Sequence, residues 1–86
     1  MNYSTKRIST DLKTLAVKIK NEVPYWQHYR PVLALKKSLK KCYELESTDN
    51  NTSILQTNKG LLIECLIIFK IIDINTAQDY GNSLQD

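Results

Sequence analysis

Of the fourteen residues from 61 to 74, only Glu64, Lys70 and Asp73 are charged. The stretch is too apolar to lie free in water. It is also well short of the ~20 apolar residues a membrane span needs. It must be enclosed, either by the rest of the chain or by another chain. Wound as a helix, it places Leu61, Cys65, Ile68 and Ile72 on one face with Ile54, and Leu62 and Phe69 beside them. Ile63, Ile67, Ile71 and Ile74 then point away from that seam. A helix apolar on two sides is central in a core or shared with a second chain, so these four isoleucines are the expected subunit or partner interface. Five isoleucines between 63 and 72 would also suit a buried strand. The helix is preferred because the charges do not alternate and no partner strand is evident.

The rest of the chain carries a helical period. Ile8, Leu12, Leu15, Ile19 and Val23 recur at spacings of three and four, with Ala16 beside them. Ser9 or Thr10 is the expected cap, with Ile8 just before it and Asp11 in the first turn. Pro24 ends this helix, because the residue before proline avoids helical geometry. Residues 24–31, with Tyr25, Trp26, His28 and Tyr29, form a ring-rich link, and Pro31 suits the first turn of the next helix. That helix runs from about 31 to 46 on a seam of Val32, Leu35, Leu39 and Cys42. After a polar loop at 47–52, Ser53 and Gln56 read as a capping box for the third helix. Asn58-Lys59-Gly60 is the alternative turn, which would start the helix near Leu61. Asn75 and Gln78 form a second capping pair, opening a short last helix with Ala77, Tyr80 and Leu84.

These elements predict one all-α domain over residues 1–86, a small antiparallel helical bundle of three long segments plus a short C-terminal helix. Valine, isoleucine, leucine and phenylalanine total 24 in 86 residues. At roughly 1.5–3 kcal/mol per buried side chain, they offset chain entropy only if nearly all are buried. A homo-oligomer is therefore expected. No apolar run follows Lys6 and Arg7, so neither signal peptide nor membrane span is expected, and the cytoplasm is the default compartment. Asn50 and Asn51 open glycosylation-type sequons that are only polar loop residues without secretion. The two cysteines, Cys42 and Cys65, are expected as free core thiols, with a disulfide between them as the alternative in an oxidising compartment. With one histidine there is no zinc-type ligand set, and no metal or other cofactor is expected.

Charge is divided unevenly. Residues 1–46 hold ten Lys/Arg against four Asp/Glu, a net of +6, while residues 47–86 hold two against five, a net of −3. On the second helix Arg30, Lys36, Lys37, Lys40 and Lys41 fall within about 140° of arc, where Glu44 can pair with Lys40 or Lys41. Lys6, Lys13 and Lys20 add a seven-residue ladder on the first helix. Such a field can hold phosphates, so Arg30, Lys36, Lys37, Lys40, Lys41, Lys13 and Lys20 are the candidate contacts to RNA, DNA or a nucleic-acid enzyme. A solvated lysine face is the plainer reading. The rings of the link either plug the end of the bundle, stack bases or meet a protein. Two glycines cannot build a phosphate loop, and nothing pairs with His28 as a nucleophile. No catalytic residue and no small-molecule substrate are expected. The alternative function is a protein-binding adaptor or inhibitor of phage or mobile-element type, with no nucleic-acid contact.

Val23-Pro24 closing a first helix, Tyr29-Arg30 opening a basic one, the apolar helix at 61–72, and Asp73-Ile74-Asn75 with Tyr80 opening the last form one series. The layout, over roughly 12–80, resembles a family of small four-helix bundles. That family comprises the proteins encoded in ribosomal-RNA intervening sequences and the accessory variability determinant of diversity-generating retroelements. The chain differs in being short and lacking most of the last helix. The resemblance implies a basic, ring-shaped homo-oligomer that binds nucleic acid and, in the retroelement branch, a reverse transcriptase. Arg30, Lys36, Lys37, Lys40 and Lys41 would be its outward-facing contacts.

Overall fold

The computed structural model describes residues 5–45 and 56–83. Its elements are α1 (Thr5–Glu22), a 3-10 turn (Trp26–His28), α2 (Arg30–Leu45), a second 3-10 turn (Gln56–Asn58), α3 (Lys59–Ile68) and α4 (Ile74–Ser83). No strand occurs among the described residues, so 61–74 is not the extended segment its isoleucines would also allow. The polar loop, Ser53 of the capping box, Ile54 and Leu84 lie outside the described residues.

Each helix runs antiparallel to the next. Lys13 meets Tyr43 while Lys20 meets Trp26, so α1 and α2 pass in opposite directions. Arg30 and Lys37 share a cleft with Asn58 and Leu61, while Tyr29 stands against Cys65, which reverses direction again at α3. The Tyr80 hydroxyl of α4 donates a hydrogen bond to Asp11 of α1. Ile8, Leu12, Leu15 and Ile19 are fully buried along α1, against Val32, Leu35 and Cys42 of α2 and Leu62, Cys65 and Leu66 of α3. At about 1.5–3 kcal/mol for each fully buried aliphatic side chain, the α1 stripe is a main hydrophobic contribution.

Several boundaries differ from the sequence reading. α1 is already helical at Thr5, so Ser9 and Thr10 do not cap it. The Thr10 hydroxyl instead donates to the Lys6 carbonyl at 2.9 Å, and the Thr14 hydroxyl to the Thr10 carbonyl at 3.0 Å. Burial of Ile8 one turn before Leu12 carries the helix past the better capping residues. Asp11 consequently sits in the second turn, where it accepts from Tyr80 and lies 3.5 Å from the Arg7 Nε. α1 ends at Glu22, two residues before Pro24, as the proline requires.

α3 departs most. It ends at Ile68 rather than continuing to 74, and its buried face is Leu62, Cys65 and Leu66. The seam expected at Leu61, Cys65, Ile68 and Ile72 is rotated by about 80° at 100° per residue. Ile68 is therefore exposed, at 62 %, while Ile72 enters the core from the turn instead of from the helix. Lys70 adopts φ 60°, its N–H donates to the Ile67 carbonyl at 2.9 Å, and the Ile71 N–H donates to the Leu66 carbonyl at 2.8 Å. This is a Schellman closure, the pattern that usually places glycine where Lys70 stands. At the other end the helix opens at Lys59 behind the 3-10 turn, close to the alternative start near Leu61, with Gly60 in its first turn.

The cap of α4 is Asp73, not Asn75. Its Oδ1 accepts from the Thr76 N–H at 2.7 Å, and its carbonyl accepts from the Ala77 N–H at 2.9 Å. Hydrogen bonding of the carboxylate by the Thr76 N–H and side chain favours the charged form and holds its pKa below the ordinary value, against an opposing contribution from burial. Asn75 loses the position because the Schellman turn delivers the chain in helical geometry by Ile74.

Lys70→Gly removes the left-handed strain on a side-chain-bearing residue and adds back only the flexibility of glycine. We expect it to raise unfolding free energy by up to about 1 kcal/mol, read as a higher urea midpoint at unchanged slope. A lower midpoint would show that the Lys70 side chain makes a compensating contact.

Candidate functional site

The seven sequence-nominated cations, Arg30, Lys36, Lys37, Lys40 and Lys41 on α2 and Lys13 and Lys20 on α1, are all exposed. The α2 core is built on Val32, Ala34, Leu35, Ser38 and Cys42, which leaves its basic arc to solvent. None of the seven forms an ion pair among the described residues. Glu44, in the same arc, does not close on Lys40 or Lys41. The paired charges lie elsewhere, at Arg7–Asp11 (3.5 Å) and Lys18–Glu22 (3.8 Å) on α1. Lys36 and Lys40, and Lys37 and Lys41, stand one turn apart as like charges, an arrangement that destabilises a helix by roughly 0.2–0.5 kcal/mol per pair.

The α1 ladder faces α2. Lys13 Nζ lies 5.0 Å from the centre of the Tyr43 ring, and Lys20 Nζ lies 5.9 Å from that of Trp26. These are cation–π distances. They tie the two basic rows into one surface. Between the rows runs a groove of about 210 Å³, lined by Ala16, Val17 and Lys20 of α1, by Trp26, and by Val32, Leu35, Lys36 and Leu39 of α2. Its walls are almost wholly apolar. On the far side of α2, Arg30 and Lys37 line a second cleft of about 160 Å³ with Leu33, Ala34, Asn58 and Leu61. The basic face thus divides into an α1 side and an α3 side.

The ring-rich link also divides. Trp26 and Tyr29 are half-buried and pack on the core, plugging the end of the bundle, whereas Tyr25 and His28 are exposed. Tyr25 has φ 54°, an unusual conformation for a bulky residue, and is 82 % exposed. Burial raises the Tyr29 hydroxyl above its ordinary pKa, helped by the Cys65 thiol beside it and by Glu64. Burial likewise raises the Cys65 thiol; Tyr29 opposes that shift by hydrogen bonding, and Glu64 adds to it. Cys42 and Cys65 are both buried and are not joined in a disulfide.

Of the four isoleucines nominated as an interface, Ile74 is exposed at 64 %, while Ile63, Ile67 and Ile71 are half-buried and pack partly on the core. Ile68, placed in the seam by sequence, joins the exposed side. Sequence reasoning did not identify the groove, since Val17 breaks no pattern and Ala16 read only as a neighbour of the α1 stripe. It also passed over Leu66, although Leu62 and Leu66 stand one turn apart. Among the described residues no three of His, Cys, Asp and Glu come close enough to hold a metal ion, and no helix is long and apolar enough to cross a membrane. Comparison with family models, curated proteins and solved structures found no match to this chain.

Both raised groups bind their protons more tightly in the folded state. Their stabilisation is therefore complete below the unfolded thiol value of 9.0 and is lost as pH rises through the folded values. Thermal melts should show stability declining from about that pH upward, with the decline reduced in Cys65→Ala. An alkaline limb unchanged by Cys65→Ala would contradict the assignment.

Proposed function

We propose that this protein is a non-catalytic bundle that holds nucleic acid on the basic face of α2 and self-associates through the isoleucine side of α3. The observation that carries the reading is the strip of seven exposed cations spanning α1 and α2, none of them in an ion pair among the described residues. Phosphates placed along it would relieve the like-charge strain at Lys36/Lys40 and Lys37/Lys41, so binding and fold stability reinforce each other. Arg30 offers a planar fork for two phosphate oxygens, and the lysines act as point charges. The resemblance to proteins of ribosomal-RNA intervening sequences and to the retroelement accessory determinant points the same way, towards an oligomer with a basic surface. Ile68 and Ile74, with the exposed parts of Ile63, Ile67 and Ile71, supply the apolar patch a second copy would cover.

Changing Lys36, Lys37, Lys40 and Lys41 together to glutamate tests the reading on RNA and DNA oligonucleotides over a salt series. Each phosphate contact contributes roughly 0.7–0.9 to the slope of log affinity against log salt. The wild type should therefore show a steep slope that falls by roughly 3 in the variant, with affinity down at least about 100-fold. Equal binding by both proteins would reject the proposal.

A further inference from the structure

We infer that the groove between α1 and α2 is a docking site for a short acidic amphipathic helix of a protein partner. This goes beyond the nucleic-acid reading: it shares Lys20 and Lys36 with that basic strip but rests on the apolar channel between them. Ala16, Val17, Leu35 and Leu39 are its aliphatic lining, and Val17 is left 59 % exposed. Lys20 stands at one rim and Lys36 at the other, and no carboxylate lines the groove. An apolar channel between two cationic rims is complementary to a helix with an apolar stripe flanked by Asp and Glu. The Trp26 ring, with the Lys20 ammonium over it, is part of its wall. Val32 and Leu39, the ends of its α2 wall, are seven residues apart, about 10 Å along the helix. That length accepts two turns of a partner, or anchors at i, i+3 or i+4, and i+7.

The chemistry disfavours the other occupants. A nucleic acid would find aliphatic walls, and the one ring in the groove, Trp26, already has the Lys20 ammonium over it; base stacking needs an open aromatic face. A second copy of this chain would need an acidic amphipathic helix to spare. α4 buries Ala77 and Tyr80 in its own core, and the outward side of α3 carries Glu64 alone against Lys59.

Trp26 is the only tryptophan in the chain, so its emission reports the groove directly. The probe is a helical peptide with leucines at i, i+4 and i+7 and glutamates on both flanks. Its control has lysine for every glutamate. The acidic peptide should shift Trp26 emission to the blue and saturate, while the lysine peptide should not bind. Val17→Gln changes no charge and sits at the surface. It should weaken the acidic peptide at least about tenfold, a difference of 1.4 kcal/mol, and leave RNA affinity unaltered. Equal affinity of wild type and Val17→Gln for the acidic peptide would overturn the inference, as would equal binding of both peptides or failure of the acidic one to bind. A Trp26 shift produced by raising protein concentration alone would assign the groove to a second copy. One produced by an RNA oligonucleotide and lost in Val17→Gln would assign it to nucleic acid. Because the decisive substitution is neutral, the outcome is separable from that of the lysine reversal.

Discussion

The enclosure of α3 is the constraint on which the rest of this fold depends. Its ten residues carry charge only at Lys59 and Glu64, and no single contact face can hide the remainder. α1, α2 and α4 each pack against it. Leu62, Cys65 and Leu66 turn towards the core, and Ile63 and Ile67 are half-covered by what surrounds them. The sharp closure at Lys70 follows from the same need. A helix continued to 74 would carry Ile71 and Ile72 past the ends of their neighbours. Ending at Ile68 and turning back lets Ile72 enter the core and brings Tyr80 of α4 to Asp11 of α1.

This arrangement also explains where the charge lies. With the apolar helix spent on the interior, α1 and α2 supply most of the described charged surface, and they hold most of the lysines. Each uses its apolar stripe inward and leaves its cations outward. The groove between them exists because Ala16 is small and Val17 is short, so the two helices meet through their deeper stripes and through the lysine–ring contacts at either end. The divided basic face, one side towards α1 and one towards α3, is thus a consequence of packing rather than of the α2 sequence alone.

The helical stripes of α1 and α2, the break at Pro24 and the outward lysine arc were legible because each follows from spacing within one helix. Features set by contacts between helices were not. Ser9 and Thr10 are good caps locally, but burial of Ile8 outweighs them. Asn75 and Gln78 form a plausible capping pair, yet the turn at Lys70 hands that role to Asp73. Ile68 fits the seam of a long helix and is exposed because the buried face is rotated onto Leu62, Cys65 and Leu66. The α1–α2 groove arises from side-chain size on two elements at once, a property no single periodicity reports. The exposure of the seven cations follows from the sequence pattern, whereas their division between two clefts needed the positions of α1 and α3.

Residue-resolved amide hydrogen exchange, set against unfolding free energy from urea, tests most directly whether α3 is the enclosed pivot. If it is, the amides of Cys65, Leu66 and Ile67 open only with global unfolding, and their exchange free energies match the equilibrium value. Exchange of these amides through a lower-energy local opening, while α1 and α2 remain protected, would show that the α1–α2 pair stands alone and that α3 merely rests upon it.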